Sequence, residues 1–146
     1  MKILLAVLVL FLVSCSEGPP GRTSAIRLEI FFRDFDSESW VPYGEKEIER
    51  SAPIKVFLSG DDALDLLSRI ESLPCAQDPR AKEDRMNLYL LTRVYEGTTL
   101  RESFMASKFH MDRSATGDRC LLTDTERSQL TKWLHALESG QEQGSD

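Results

Sequence analysis

Two histidines are the side chains of this sequence best suited to proton transfer near neutral pH. His110 lies in an alternating stretch, and His135 follows Trp133 and Leu134 in a predicted helix. Neither has a second His or a Cys at metal-ligand spacing, and the chain contains no Gly-x-Ser-x-Gly elbow, phosphate-binding Gly loop or His-Glu-x-x-His pair. We interpret both as structural or surface histidines, and we predict no catalytic residue, metal or cofactor. A Ser–His–Asp site assembled from distant residues remains the alternative, because triads are defined by geometry.

A run of acidic residues could in principle bind a cation. Carboxylates stand at positions 1, 3, 5 and 12 of a twelve-residue window, namely Asp34, Asp36, Glu38 and Glu45. This spacing resembles that of an EF-hand calcium loop. However, Ser39 stands where that loop needs Gly, Pro42 occupies position nine, and a predicted strand precedes the window instead of a helix. We therefore interpret the stretch as a solvated acidic loop.

The same loop carries two aromatic residues, Trp40 and Tyr43. Aromatic side chains on loops are favoured contacts for a partner, because they bury a large area in a well-packed centre. The two residues are therefore the candidate partner-binding residues. The alternative is that both rings fold back as a plug over the sheet edge, and the sequence favours this interpretation over partner binding.

The N-terminus predicts export. Lys2 is followed by an unbroken apolar run from Ile3 to Val13, eleven residues long. A membrane-spanning helix needs roughly 20 residues, so the run is typical of a secretory signal. Its end, Leu12-Val13-Ser14-Cys15, resembles the lipobox of bacterial lipoproteins. An ordinary secretory signal with a chance Cys is the alternative.

This resemblance implies a lipid anchor at Cys15. In lipoproteins the Cys thiol receives a diacylglyceryl group, the signal is cut just before that Cys, and the new amino group is usually acylated. Two or more acyl chains are enough to hold a protein stably on a bilayer. Ser16, in place of Asp, resembles the pattern directed to the outer membrane, so we expect attachment there, facing the periplasm. Residues 15–24 are rich in Ser, Gly and Pro and predict a flexible tether.

The remainder predicts a single domain over residues 25–140, followed by a polar tail, 141–146. The full chain has a net charge of −6, and removal of the signal takes away the positive charge of Lys2. The mature chain is therefore more negative by one charge. An acidic domain without a basic stripe repels phosphate backbones, which excludes nucleic acid as a partner class.

Cys75 and Cys120 are the two cysteines left after lipidation. An exported protein meets an oxidising compartment, so we predict a disulfide between them. The loop of about 45 residues that it closes gives at most about 4 kcal/mol in the chain-entropy model. Two buried free thiols are the alternative; a zinc site is less favoured, because the pair lacks Cys-x-x-Cys spacing.

Hydrophobic periodicity predicts an α+β domain, with an antiparallel or mixed sheet of about 4–5 strands and two helices on one face. A β-sandwich is the alternative. Glu47–Arg50 is a possible extension of the second strand, Glu96-Gly97 a hairpin turn, 114–118 a loop and Gly140 a helix cap. The expected strands are 25–32, 54–58, 88–95 and 99–105. Residues 108–111 either continue the last of these strands or form a separate one. One helix is expected from Ser59 or Asp61 to Leu73, and the other from Asp124 to Ser139 after a Thr123-x-x-Glu126 capping box.

These features together predict a membrane-anchored periplasmic lipoprotein. Its domain is expected to be a non-enzymatic binding or inhibitor-type module with a protein partner in the cell envelope. The alternative is a small envelope hydrolase whose site is assembled from residues that sequence spacing does not identify.

Overall fold

A single antiparallel sheet of six strands organises the domain, in the order β2-β1-β3-β4-β5-β6. The structure, a computed structural model, describes residues 25–38, 42–77 and 87–142. The predicted signal peptide, Cys15, the predicted tether and Trp40 lie outside these ranges. The elements are β1 (Ile26–Phe32), α1 (Glu45–Ser51), β2 (Ile54–Ser59), α2 (Gly60–Glu71), β3 (Leu90–Glu96), β4 (Thr99–Ala106), β5 (His110–Arg113), β6 (Asp118–Leu121) and α3 (Asp124–Glu142). The predicted α+β class is confirmed, with one sheet instead of a sandwich.

One face of the sheet, here called the core face, packs against α2 and α3. Alternate residues of β1 are buried on it, and the apolar stripes of the two helices cover them, as helical and strand periodicities require. The buried helix residues are Ala63, Leu66, Leu67 and Ile70 from α2 and Leu130 and Leu134 from α3. Both predicted helices are therefore confirmed on one face.

The opposite face, here called the second face, is covered in part by the short helix α1. Its smaller cluster of buried residues comprises Phe31, Ile48, Ala52, Leu88 and Leu91. The possible strand extension at Glu47–Arg50 is wrong, because these residues lie in α1. The Glu47 carboxylate accepts a hydrogen bond from the Gly44 backbone N–H at 3.1 Å, which satisfies one of the free donors at the helix start.

The second half of the sheet is a meander of four strands. β3 lies between β1 and β4, as its apolar faces predict, and Gly97, with φ of 62°, forms the turn to β4. Residues 108–111 belong in part to a separate strand, β5, which runs to Arg113. The sequence prediction missed β6, so the sheet has six strands where four or five were expected.

The predicted disulfide is present and closes the far edge of the sheet. Cys75 lies just after α2 and Cys120 lies in β6, with 4.6 Å between their Cα atoms. Next to it, the Leu121 backbone N–H donates to the Ala76 carbonyl at 2.8 Å, and Gln77 pairs with Cys120 as an isolated bridge. The segment after α2 is thereby held against the β6 edge.

The helix α3 begins as predicted but ends later. Glu126 accepts hydrogen bonds from the backbone N–H and the hydroxyl of Thr123, at 2.6 and 2.7 Å, and its own N–H donates back to Thr123 Oγ1 at 3.4 Å. The capping box is thus confirmed. The helix continues through Gly140 to Glu142, so the predicted cap at Gly140 is wrong. Within the described ranges, none of the helices combines the length and hydrophobicity needed to cross a membrane.

Candidate functional site

The loop that joins β1 to α1, residues 33–44, is the candidate site that the sequence identifies. We call it the β1–α1 loop. Its residues 39–41, including Trp40, lie outside the described ranges. Its described acidic residues, Asp34, Asp36 and Glu38, are exposed. Among the residues that the structure describes, no three His, Cys, Asp or Glu side chains gather at distances that could hold a metal ion.

Arg33 holds the base of this loop. Its side chain is 7% exposed, and its guanidinium carbon lies 4.3 Å from the ring centre of Tyr43 and 4.9 Å from that of Tyr89. Its Nε donates to the Ser37 hydroxyl at 3.0 Å. No carboxylate of the described residues pairs with it, and its Nη1 has no hydrogen-bond partner among them. Two aromatic faces therefore take the place of a counter-ion around this buried cation.

Tyr43 closes the loop against the start of β3. Its backbone N–H donates to Asn87 Oδ1 at 2.8 Å, and its carbonyl accepts from the Leu88 N–H at 2.9 Å. The ring is half-buried, with one face on Arg33. Tyr43 thus contributes to holding the loop, while the contact of Trp40 and Tyr43 with a partner stays a prediction.

A second attachment joins the loop to α3. Asp34 Oδ1 lies 2.8 Å from Nε2 of His135, and Glu138 Oε2 lies 3.5 Å from its Nδ1. The hydrogen bond with Asp34 is the main reason that the pKa of His135 is raised above its ordinary value of 6.5. Because each ring nitrogen faces a carboxylate, the imidazolium form donates to both acids. Neither nitrogen is directed at a Ser, Thr or Cys of the described residues, so the arrangement suits an ionic attachment better than a general base.

His110 is placed elsewhere, in β5. It is 7% exposed, and its backbone pairs with Ser107, whose N–H donates to the His110 carbonyl at 2.8 Å. The Ser107 hydroxyl in turn accepts from the His110 N–H at 3.0 Å. His110 is therefore a buried residue of a tight β4–β5 turn, on a different element from His135.

Sequence reasoning missed Arg33 and the Asp34–His135 pair. The partners of Arg33 come from the loop itself, with Ser37 and Tyr43, and from the segment before β3, with Tyr89. No repeated spacing in the sequence links Arg33 to the two rings. The burial of Arg33 between two aromatic rings can be recognised only in the folded chain, where the sheet places Tyr89 beside the end of β1.

Comparisons with known proteins supply no relative for this fold or site. No family model, no curated protein and no solved structure matches the chain.

Proposed function

We propose that this protein is a lipid-anchored lipoprotein of the bacterial cell envelope, whose domain is a non-enzymatic module that binds an envelope protein. The lipobox-like Leu12-Val13-Ser14-Cys15 supports the anchor, and the Ser/Gly/Pro-rich residues 15–24 support a tether that holds the domain off the bilayer. Ser16 supports the outer membrane as its place, with the domain facing the periplasm.

The main observation that supports a binding function is that the β1–α1 loop is attached to the domain at three points. Arg33 fixes its base between two rings, Asp34 ties it to α3, and the backbone of Tyr43 ties it to the start of β3. Binding loops are commonly held in this way on a rigid scaffold, because a loop that is already ordered loses less entropy on binding.

The charge of the loop favours one kind of partner. Asp36 and Glu38 are exposed, and Glu45 and Glu47 follow at the start of α1. Carboxylates at a rim attract a basic partner and repel an acidic one, which mainly affects the rate of association and the choice of partner. A protein with Lys or Arg around its contact surface fits this loop.

The surroundings of His135 give the hydrolase alternative no support. The histidine nearest to the loop, His135, has a carboxylate at each ring nitrogen, and His110 lies in a turn of the sheet. A hydrolase of the Ser–His–Asp type needs one ring nitrogen beside a nucleophile.

The anchor is tested by Cys15→Ala with Ser16→Asp as its matched control. Cys15→Ala should give unprocessed precursor that incorporates no labelled fatty acid. Ser16→Asp should keep the lipid label and move the protein to the inner-membrane fraction. If Cys15→Ala matures and fractionates with membranes like the wild type, the anchor is wrong.

The binding function is tested by the double variant Trp40→Ala/Tyr43→Ala in the full lipidated chain. Proteins that co-purify with the wild-type chain from its own envelope should be lost, as expected for hot-spot residues worth about 2–4 kcal/mol. Phe109→Ala, which truncates an exposed aromatic residue outside the loop, is the matched control and should keep them. A marked drop in Tm with unchanged affinity per folded molecule would show that the rings are only a plug.

A further inference from the structure

A groove between α2 and α3 forms a second candidate surface, away from the β1–α1 loop. We call it the α2/α3 groove. Its floor consists of Leu66, Trp133, Ala136 and Leu137, and its volume is about 250 Å³. Trp133 and Leu137 pack against the core but are only partly buried. The small side chain of Ala136 leaves open the space that a larger residue would fill.

The size of the groove limits what it can hold. Small-molecule sites usually enclose about 300–1,000 Å³, and this groove is smaller and open to solvent on one side. It has room for one large side chain, which would lie against the indole of Trp133. Aromatic and large aliphatic side chains that fill such pockets are the usual centres of protein interfaces.

The charged residues at the rim of the groove are two acids and one arginine. Asp62, Asp65 and Arg69 line it, and Asp65 pairs with Arg69 at 2.8 Å. The guanidinium of Arg69 also lies 5.8 Å from the ring centre of Trp133, so this cation is already engaged within the rim. Asp62 is exposed and makes no ion pair with another described residue, which leaves a negative charge beside the apolar floor.

We propose that the α2/α3 groove receives one large apolar side chain of a partner protein, from a segment that carries Lys or Arg next to that side chain. The apolar floor selects the side chain, and Asp62 selects the neighbouring cation by charge complementarity. This inference rests on the proposed function, because it assumes a protein-binding module, and it adds a second contact surface and the chemistry of the segment that fits it.

The test is photo-crosslinking of the full lipidated chain in its own cells. A lysine analogue with a diazirine group replaces Lys132, which is exposed and lies one helical turn before Ala136 without lining the groove. The probe therefore reaches the rim without filling the groove. The same analogue in place of Asp36, in a second strain, reports on the β1–α1 loop. The crosslinked peptide is sequenced by mass spectrometry.

Two variants of the groove, each with a matched control, test whether the crosslink depends on the groove. Ala136→Leu fills it and Asp62→Lys reverses its free charge, and each should lower the yield of the Lys132 adduct at least about tenfold. Their controls, Gln129→Leu on α3 and Asp61→Lys on α2, make the same kinds of change at exposed residues that do not line the groove. Both controls should leave the yield unchanged. Circular dichroism checks that all four variants are folded.

The outcomes separate the two proposals. A sequenced adduct with Lys or Arg beside a large apolar residue, lost in Ala136→Leu and Asp62→Lys, supports the inference. An adduct at Asp36 without one at Lys132 overturns the inference and leaves the proposed function standing. No adduct at either position contradicts both. An adduct with a lipid, a second copy of this chain or an acidic segment overturns the inference, as does a yield that all four variants leave unchanged.

Discussion

The two faces of the sheet are stabilised in different ways. On the core face, α2 and α3 bury a continuous apolar layer. On the second face, α1 covers a small cluster, and beyond it Arg93 interacts with Glu49 at 2.9 Å and more distantly with Glu29 at 4.0 Å. The core face is the one that hydrophobic periodicity describes well, because its contacts depend on spacing along one element. The second face depends on polar contacts between elements, for which periodicity gives no signal.

The largest expected difference between the faces is in the unfolding free energy that is lost when a buried side chain is truncated. Leu134→Ala in α3 and Ile48→Ala in α1 both truncate a side chain that is 0% exposed, and such changes usually cost about 2–5 kcal/mol. We expect Leu134→Ala near the upper end, because α3 spans 19 residues and a second buried residue, Leu130, fixes it in the core one turn earlier. Ile48→Ala should cost less, because α1 has only 7 residues and can move into the space left behind.

Urea denaturation of the two variants measures this difference, provided that the denaturant dependence of the unfolding free energy stays unchanged. Equal losses would show that α1 is held as rigidly as α3. The second face would then be a second well-packed core rather than a lightly covered surface.

The disulfide is expected to have the next largest effect. Cys75→Ala/Cys120→Ala should lower the unfolding free energy by up to about 4 kcal/mol, because the bond closes a loop of 45 residues in the unfolded chain. It ties the end of α2, on the core face, to the β6 edge. Hydrogen exchange should show the largest loss of protection in β6 and little change in α1. Uniform loss across both faces would contradict a local role for the bond.

The two helices of the core face could be predicted from the sequence, whereas α1 and β6 could not. α2, α3 and the disulfide were predictable, because repeated apolar positions, a capping box and an even pair of cysteines are local or countable signals. β6 has four residues with one buried side chain, Cys120, and α1 buries Ile48 alone within its bounds. Elements this short show no full period, and their packing on the sheet determines their structure.

The candidate site was only partly predictable for a similar reason. The β1–α1 loop was identified from its composition, since acids and aromatic residues cluster within it. Its attachments were not, because Arg33 meets Tyr89, and Asp34 meets His135, only in the folded chain.

The ion pairs of the second face should have a smaller effect than either packing or the disulfide. Arg93→Met removes the bond to Glu49 but keeps most of the apolar stem, and we expect a loss of at most about 1 kcal/mol, since Glu49 is half-exposed. Arg101→Met, at an exposed position of β4, is the matched control and should change the unfolding free energy by less.

The effect of Arg93→Met should depend on pH. The hydrogen bond from Arg93 lowers the pKa of Glu49 below its ordinary 4.5. The stabilisation is therefore present above about pH 4.5 and is lost as pH falls through the lower pKa of the folded state. Wild type and Arg93→Met should converge in Tm in acid. A difference that persists unchanged to low pH would show that Arg93 acts by packing alone.

The smallest expected effect lies on the other side of the sheet, at the His135–Asp34 pair, and it has the opposite pH dependence. The bond to Asp34 raises the pKa of His135 above 6.5, so its stabilisation is fully present below that value and is lost as pH rises through the higher pKa of the folded state. Both side chains are about half-exposed, at 46% and 54%, so we expect the pair to contribute less than about 1 kcal/mol to the unfolding free energy.

Asp34→Asn should lower the pKa of His135 measured by NMR, and Glu138→Gln should lower it less, because that carboxylate is farther away, at 3.5 Å. A rise in pH would then weaken the attachment of the β1–α1 loop to α3 while it leaves the Arg93–Glu49 pair intact. If Asp34→Asn and Glu138→Gln shift the pKa equally, the loop is not held to α3 by Asp34 in particular, and its attachment must come from Arg33 and Tyr43.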